Sequence, residues 1–294
     1  MENNNVSLTG LSEGRIIPKK EKICFGFGIL ANVIITGIVG LYLTDYYINK
    51  IQIRYELFII AQVIFLFWNA LNDIFFAYIA DRTKHRLGRR IPYIRYGAPL
   101  FAASFIFFWF PLPGSAPGDL NSGQTLKFIQ LLIGLLFYDT MLTIVILSLV
   151  ALPPEMSEST TERTSIGIYT LIFTLIGGIT ILVVPIIMSL GLEIFRISIL
   201  ILAAIATLAY LILSYGVKER FELHEKEFSE KYNILTEIKI AFKNKSFISF
   251  LIFNFCVVFT LNLSANFTPF YTTIFGLEEA WATVVLVSFY TGYV

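Results

Sequence analysis

Charge is scarce in this sequence. Only 15% of the 294 residues are Asp, Glu, Lys or Arg, against about 25% in an ordinary soluble domain. The formal net charge is +1, and the basic residues form no continuous surface, which argues against nucleic acid as a partner. Cysteine is limited to Cys24 and Cys256. Both sit in apolar blocks without a neighbouring His or Cys, so neither a metal cluster nor a disulfide has support. The two histidines, His85 and His224, lie in polar connections and read as solvated. No glycine-rich phosphate loop follows a strand, no His-x-x-x-His pair occurs, and no nucleophile elbow is found, so nothing points to an enzyme. No cofactor is expected.

What fills the space instead is apolar. Hydrophobic residues make up 56% of the chain, the mean hydropathy is +0.73, and these residues come in long runs. A helix needs about 20 apolar residues to cross a bilayer. Seven blocks meet that length: Ile23–Thr44, Leu57–Ala80, Tyr93–Leu112, Phe128–Leu152, Ile166–Leu190, Ile194–Gly216 and Phe247–Tyr271. An eighth begins near Ala280 and reaches Val294 after a rise of roughly 22 Å, short of the roughly 30 Å hydrocarbon layer. The expectation is an all-α, polytopic membrane protein whose sequence here is a fragment. Span 1 is too long for a signal peptide and has no small-residue cleavage pattern.

The charges between the blocks fix an orientation. All but Lys50, Arg54, Lys127 and Arg196 of the 22 basic residues fall on one side: in the tail before span 1, between spans 2 and 3, between spans 4 and 5, and between spans 6 and 7. The positive-inside rule puts that side, and the N-terminus, in the cytoplasm of a cell membrane. The chain then divides into a cytoplasmic tail (1–22), a six-helix bundle (23–216), a charged cytoplasmic linker (217–245) and the start of a second bundle (246–294).

Ionisable groups inside a bilayer are costly and usually line a pathway. Asp73 lies well inside span 2, with Asn69 and Asn72 on the same helical face. One carboxylate and two amide oxygens suit a hard cation or a proton. Asp139 sits in the middle of span 4, followed by Thr140, and shares a face with Thr143; it is a second candidate for proton exchange. Asn32 and Thr36 in span 1, and Asn262 and Asn266 in span 7, are spaced one turn apart and are candidates for lining the same cavity, although helix-packing glue explains such residues as well. Two connections on the cytoplasmic side read as a gate. The basic one runs from Asp81 and Arg82 through Arg86 to Arg89 and Arg90, and the acidic one carries Glu155, Glu158, Glu162 and Arg163. Surface ion pairs contribute only about 0–1 kcal/mol each, which suits a gate that must open.

Gly26-Phe27-Gly28 with Tyr42, Asn69-Ala70-Leu71-Asn72-Asp73, Asp81-Arg82-Thr83, Gly88-Arg89-Arg90 with Pro92, Ala151-Leu152 with Glu155, and Glu162-Arg163-Thr164 occur in this order. Together they resemble the glycoside–pentoside–hexuronide:cation symporters, the melibiose-permease-like branch of the major facilitator superfamily, over residues 22 to 294. The resemblance implies twelve helices in two six-helix halves, about eight of which begin within this chain. It also implies symport of a solute, such as a sugar or glycoside, with H+ or Na+ by alternating access, and a monomer is expected. It places the cation site on Asn69, Asn72 and Asp73, with Thr140 from span 4. The first of these positions is usually aspartate, and the family's sugar-binding carboxylates fall on Val33 and Thr143. These departures weigh against galactoside recognition and favour H+ over Na+. A lysolipid or other amphiphile is the alternative cargo. A non-transporting scaffold is the alternative role if the native chain ends at Val294.

Overall fold

The computed structural model describes residues 16–83, 85–114, 122–157, 159–219 and 241–266, with the side chains of Asp81, Arg82 and 261–266 outside that description. All described regular structure is helical: α1 Lys19–Asp45, α2 Tyr55–Arg82, α3 Ile91–Phe107, α4 Gln124–Val150, α5 Leu152–Met156, α6 Thr160–Ser189, α7 Leu192–Gly216 and α8 Lys245–Asn266. Every expected span within these residues is a helix; the eighth block lies outside them. Five helices (α1, α2, α4, α6 and α7) are long and apolar enough to cross a membrane.

Span 3 is the exception in length. Its helix has 17 residues, about 25 Å of rise, and ends before Phe108 and Trp109. Pro111 and Pro113 follow, and a residue preceding proline is pushed out of the helical region. The other boundaries have equally local causes. Pro92 stands in the first turn of α3, where its missing N–H costs nothing. Gly123 (φ 64°) and Gly191 (φ 126°) supply left-handed backbone at the entries of α4 and α7. Pro153 and Pro154 stand in the first turn of the short α5, just after Ala151 ends α4. α1 runs on into one π-helical turn, Tyr46–Lys50.

Within the bundle α1 packs against α6 and α7, α3 against α4 and α7, and α2 lies along α4. Ile35, Ile38, Ile94, Phe101, Leu131, Ala206 and Leu213 are fully enclosed in the resulting core. α2 is covered on one side only: Leu66, Phe67, Leu71, Ile74 and Phe75 are all exposed. Gly177 lets α1 and α6 approach closely, since a Cβ there would lie 2.7 Å from Cγ1 of Val33.

At the end of α3 away from its N-terminus, the carbonyls left over by the helix are taken up by side chains. The Tyr46 and Tyr47 hydroxyls donate to the carbonyls of Trp109 (2.8 Å) and Phe108 (3.2 Å). Arg196 Nε donates to Trp109 O (3.2 Å). Gln130 Nε2 donates to Phe107 O and Phe110 O, and its Oε1 accepts the N–H of Leu112.

Candidate functional site

The polar residues that α2 and α4 carry into the apolar bundle meet one another. Asn69 Nδ2 donates to Asp139 Oδ1 at 2.7 Å. Asn72 Nδ2 lies 3.2 Å from Asp139 Oδ2 and 2.9 Å from Thr143 Oγ1. The Thr143 hydroxyl in turn donates to Asp73 Oδ1 at 2.8 Å. Two carboxyl groups are thereby joined through an amide and a hydroxyl. The periodicity of the two helices produces this: 69, 72 and 73 project from one face of α2, and 139 and 143, four apart, from one face of α4.

The two acids differ in setting. Asp139 is 0% exposed, whereas Asp73 is exposed on the uncovered side of α2. Among the described residues no ion pair reaches either carboxyl. A buried carboxyl in an apolar bundle without a basic neighbour needs either its own proton or a cation to offset its charge. Asp139 is sealed between helices, held by amides from Asn69 and Asn72, whereas Asp73 lies open on α2.

The two threonines of α4 make different contacts. Thr140 accepts the indole N–H of Trp68 (3.2 Å) and donates to its own helix at Leu136 O (2.8 Å), and Thr143 is the threonine bonded to Asp73. One residue is about 100° from its neighbour round a helix, and Asp139 and Thr143, one turn apart, form the face turned to Asn72. Thr143, expected in the substrate cavity, is hydrogen-bonded to Asn72 and Asp73. Thr36 returns its hydroxyl to the carbonyl of Asn32 (2.7 Å), and the buried Asn32 Oδ1 has no partner among the described residues. The side chains of Asn262 and Asn266 lie outside the described residues.

At the other end of α2 and α4 the charged segments converge. Arg89 and Arg90 both reach Oε1 of Glu155, at 2.9 and 3.3 Å, with all three side chains nearly buried. Glu162 does not join them. It pairs with Lys22 (2.9 Å) and accepts the backbone N–H of Ile17, because α6 runs beside α1 and the loop arginines stand beside α5. Arg163 donates to the carbonyl of Ser157 (2.8 Å). Arg86 is exposed; Glu158 and the side chains of Asp81 and Arg82 lie outside the described residues. Arg95 crosses from α3 to Ser214 O on α7 (2.6 Å) and stacks over the Tyr215 ring.

One participant was hidden by its surroundings. Glu219 sits in the mixed-charge run after α7, where any single carboxylate looks solvated, yet it accepts the backbone N–H groups of Arg89, Arg90 and Ile91. The nearest sequence signal is Gly88, whose φ of 109° marks backbone shaped for a close approach.

A bundle with five helices of membrane-crossing length, a linked pair of carboxyl groups within it and paired charges at one end is the build of a multi-pass membrane protein. The family model described as "MFS/sugar transport protein" matches residues 24–292. "Transmembrane protein 180" of Gallus gallus is 26% identical over 276 residues, which is 83% of this chain and 51% of that protein. "Uncharacterized symporter sll1374" of Synechocystis is 28% identical over 58% of this chain and 31% of its own length. "Inner membrane symporter YicJ" of Escherichia coli is 26% identical over 71% of this chain and 45% of its own. The chain belongs to the MFS/sugar transport protein family, in agreement with its resemblance to the glycoside–pentoside–hexuronide symporters. It spans about half the length, or less, of the curated relatives it matches.

Proposed function

We propose that this chain supplies the first helical bundle of a secondary active transporter that couples a cation to the uptake of a small solute by alternating access. The observation that carries this reading is the chain Asp139–Asn72–Thr143–Asp73, two acids linked across α2 and α4 with no basic partner among the described residues. A proton or Na+ arriving at the exposed Asp73 would complete it, with Thr143 and the asparagine amides as oxygen neighbours. The lack of the second family aspartate at Asn69 favours the proton. Asp139 then serves as the buried anchor that holds Asn69 and Asn72 in place.

The end carrying Arg89, Arg90, Glu155 and Glu219 is taken as cytoplasmic from the distribution of basic residues, and its ion pairs as the closed cytoplasmic gate. A sugar or glycoside is the cargo class that the family description favours. An amphiphile is favoured by a different observation: Val33, at the family's sugar-carboxylate position, packs against Gly177, and Thr143 is engaged with Asp73.

The test is transport by reconstituted full-length protein over a panel of glycosides and lysolipids. Asp73→Asn is expected to abolish accumulation against a gradient while sparing solute exchange. Undiminished accumulation in that variant would remove Asp73 from the mechanism.

A further inference from the structure

Glu219 is the third residue beyond the end of α7, and it does for α3 what a local cap would normally do. The residue preceding α3, Arg90, makes no side-chain cap of its own, so the first N–H groups of the helix need acceptors. Glu219 Oε1 accepts from Arg90 (2.8 Å) and Ile91 (2.5 Å), and Oε2 accepts from Arg89 (2.5 Å). A negative group there is also favoured by the helix dipole. Gly88 makes the approach possible in two ways: its φ of 109° turns the loop, and a Cβ at that position would fall 2.3 Å from Glu219 Oε2. The side chains of the same two arginines hold Glu155. One carboxyl group therefore ties the segment leaving the bundle to the loop between α2 and α3 and, through Arg89 and Arg90, to α5.

We propose that Glu219 is a latch: its carboxyl group fastens the segment leaving α7 to the entry of α3, and this fastening must be undone before the charged face can open. The idea of opening rests on the transporter reading; the contact itself does not. A latch at this point links the segment after α7 to the basic loop between α2 and α3, so the two are released together.

The latch is sensitive to protons. Glu219 meets the backbone N–H groups of Arg89, Arg90 and Ile91 and feels the charge of Glu155 from α5. The guanidinium groups of Arg89 and Arg90 are turned to Glu155, and Arg95 of α3 is engaged with Ser214 and Tyr215 of α7. Lys218 is its neighbour in sequence, and His85 and Arg86 are exposed on the loop. Burial pushes the Glu219 carboxyl from 4.5 up to about 7, and the Glu155 charge pushes the same way against the N–H donors. Because this value is above that of a released glutamate, a bound proton favours the latched form. The preference is complete below about 4.5 and is lost as pH rises through about 7. Between pH 8 and pH 6 the latching equilibrium strengthens about tenfold.

Cys24 reports on this region without an engineered cysteine. It is buried, and its Sγ lies against Gly216 at the end of α7, where a Cβ would come within 2.3 Å of it. In full-length protein in vesicles with the exposed Cys256 replaced (C256S), N-ethylmaleimide labelling of Cys24 reads how often this end comes apart. Glu219→Ala is expected to label faster than its parent, by about tenfold more at pH 6 than at pH 8. Taking the ratio at each pH removes the pH dependence of the thiol reaction. Gly88→Ala leaves Glu219 in the chain but spoils its seat, and is expected to speed labelling as well, which covers the case of a poorly folding Glu219→Ala. Glu219→Gln, which keeps acceptor oxygen but cannot ionise, is expected to fall between parent and alanine variant. Equal labelling of the parent, Glu219→Ala and Gly88→Ala would overturn the latch, and a mutant-to-parent ratio unchanged with pH would overturn its proton sensitivity. Labelling needs no solute, so absence of uptake would defeat the transporter reading and leave this result standing.

Discussion

Replacing Thr143 by valine removes a hydroxyl while nearly preserving the side chain's shape, and so isolates the bond that joins the two acids. The hydroxyl makes two hydrogen bonds, accepting from Asn72 at 2.9 Å and donating to Asp73 at 2.8 Å. Side-chain hydrogen bonds between membrane helices average about 0.6 kcal/mol and reach about 1.7 kcal/mol. Asn72 keeps Asp139 as an acceptor, and Asp73 is exposed and able to find another donor, so the stability cost should be near 1 kcal/mol. The effect on coupling should be larger. A cation at Asp73 loses an oxygen neighbour and a fixed carboxylate geometry, worth about 1–2 kcal/mol, between an ordinary hydrogen bond and one to a charged group, or about five- to thirtyfold in affinity. The assay is solute uptake by full-length protein titrated with H+ and with Na+, alongside thermal unfolding in detergent. The expected outcome is a five- to thirtyfold weaker half-saturation for the coupling ion, with folding little changed and Thr143→Ser close to wild type. An unaltered ion dependence in Thr143→Val, in a protein where Asp73→Asn is inactive, would refute the reasoning that places Thr143 in the site.

Glu155→Ala leaves Arg89 and Arg90 nearly buried without their shared carboxylate; since breaking a buried pair costs about 3–5 kcal/mol and this one lies at the end of the bundle, a loss near 3 kcal/mol is expected in equilibrium unfolding, with Glu155→Gln milder. Gly177→Val drives a methyl into Val33 and should destabilise by about 1–3 kcal/mol through overpacking. Gly40→Ala is the contrasting case: nothing lies within 4 Å of a Cβ placed there, so a gain of up to about 1 kcal/mol from helix propensity is expected, and melting temperatures of the pair should move in opposite directions.

Helices were legible because each apolar run is long, and the mixture of side chains hardly matters when lipid is the solvent. Their ends were less so. The shortness of α3 follows from Pro111 and Pro113, and the π turn at Tyr46–Lys50 has no comparable signal in the sequence. Within the site, spacing alone put Asn69, Asn72 and Asp73 on one face and Asp139 with Thr143 on another. Spacing could not say that these two faces oppose each other, or that Asp139 is the enclosed acid and Asp73 the open one, because exposure depends on which helix lies alongside. The same limit explains Glu162. Charge counting gave an expectation for its side of the membrane, but its partner Lys22 follows from α1 lying beside α6. Glu219 was missed for a different reason: its ligands are backbone N–H groups, which leave no trace in residue identity apart from Gly88.

The aromatic collar around the far end of α3 has a mechanical consequence. Tyr46, Tyr47, Gln130 and Arg196 grip the chain between Phe107 and Leu112, so this short rod has a fixed base. A tilt of about 5° about that fulcrum sweeps the opposite tip of a roughly 25 Å helix sideways by about 2 Å. That is enough to pull a row of amide donors beyond reach of a carboxyl group, while the base stays put.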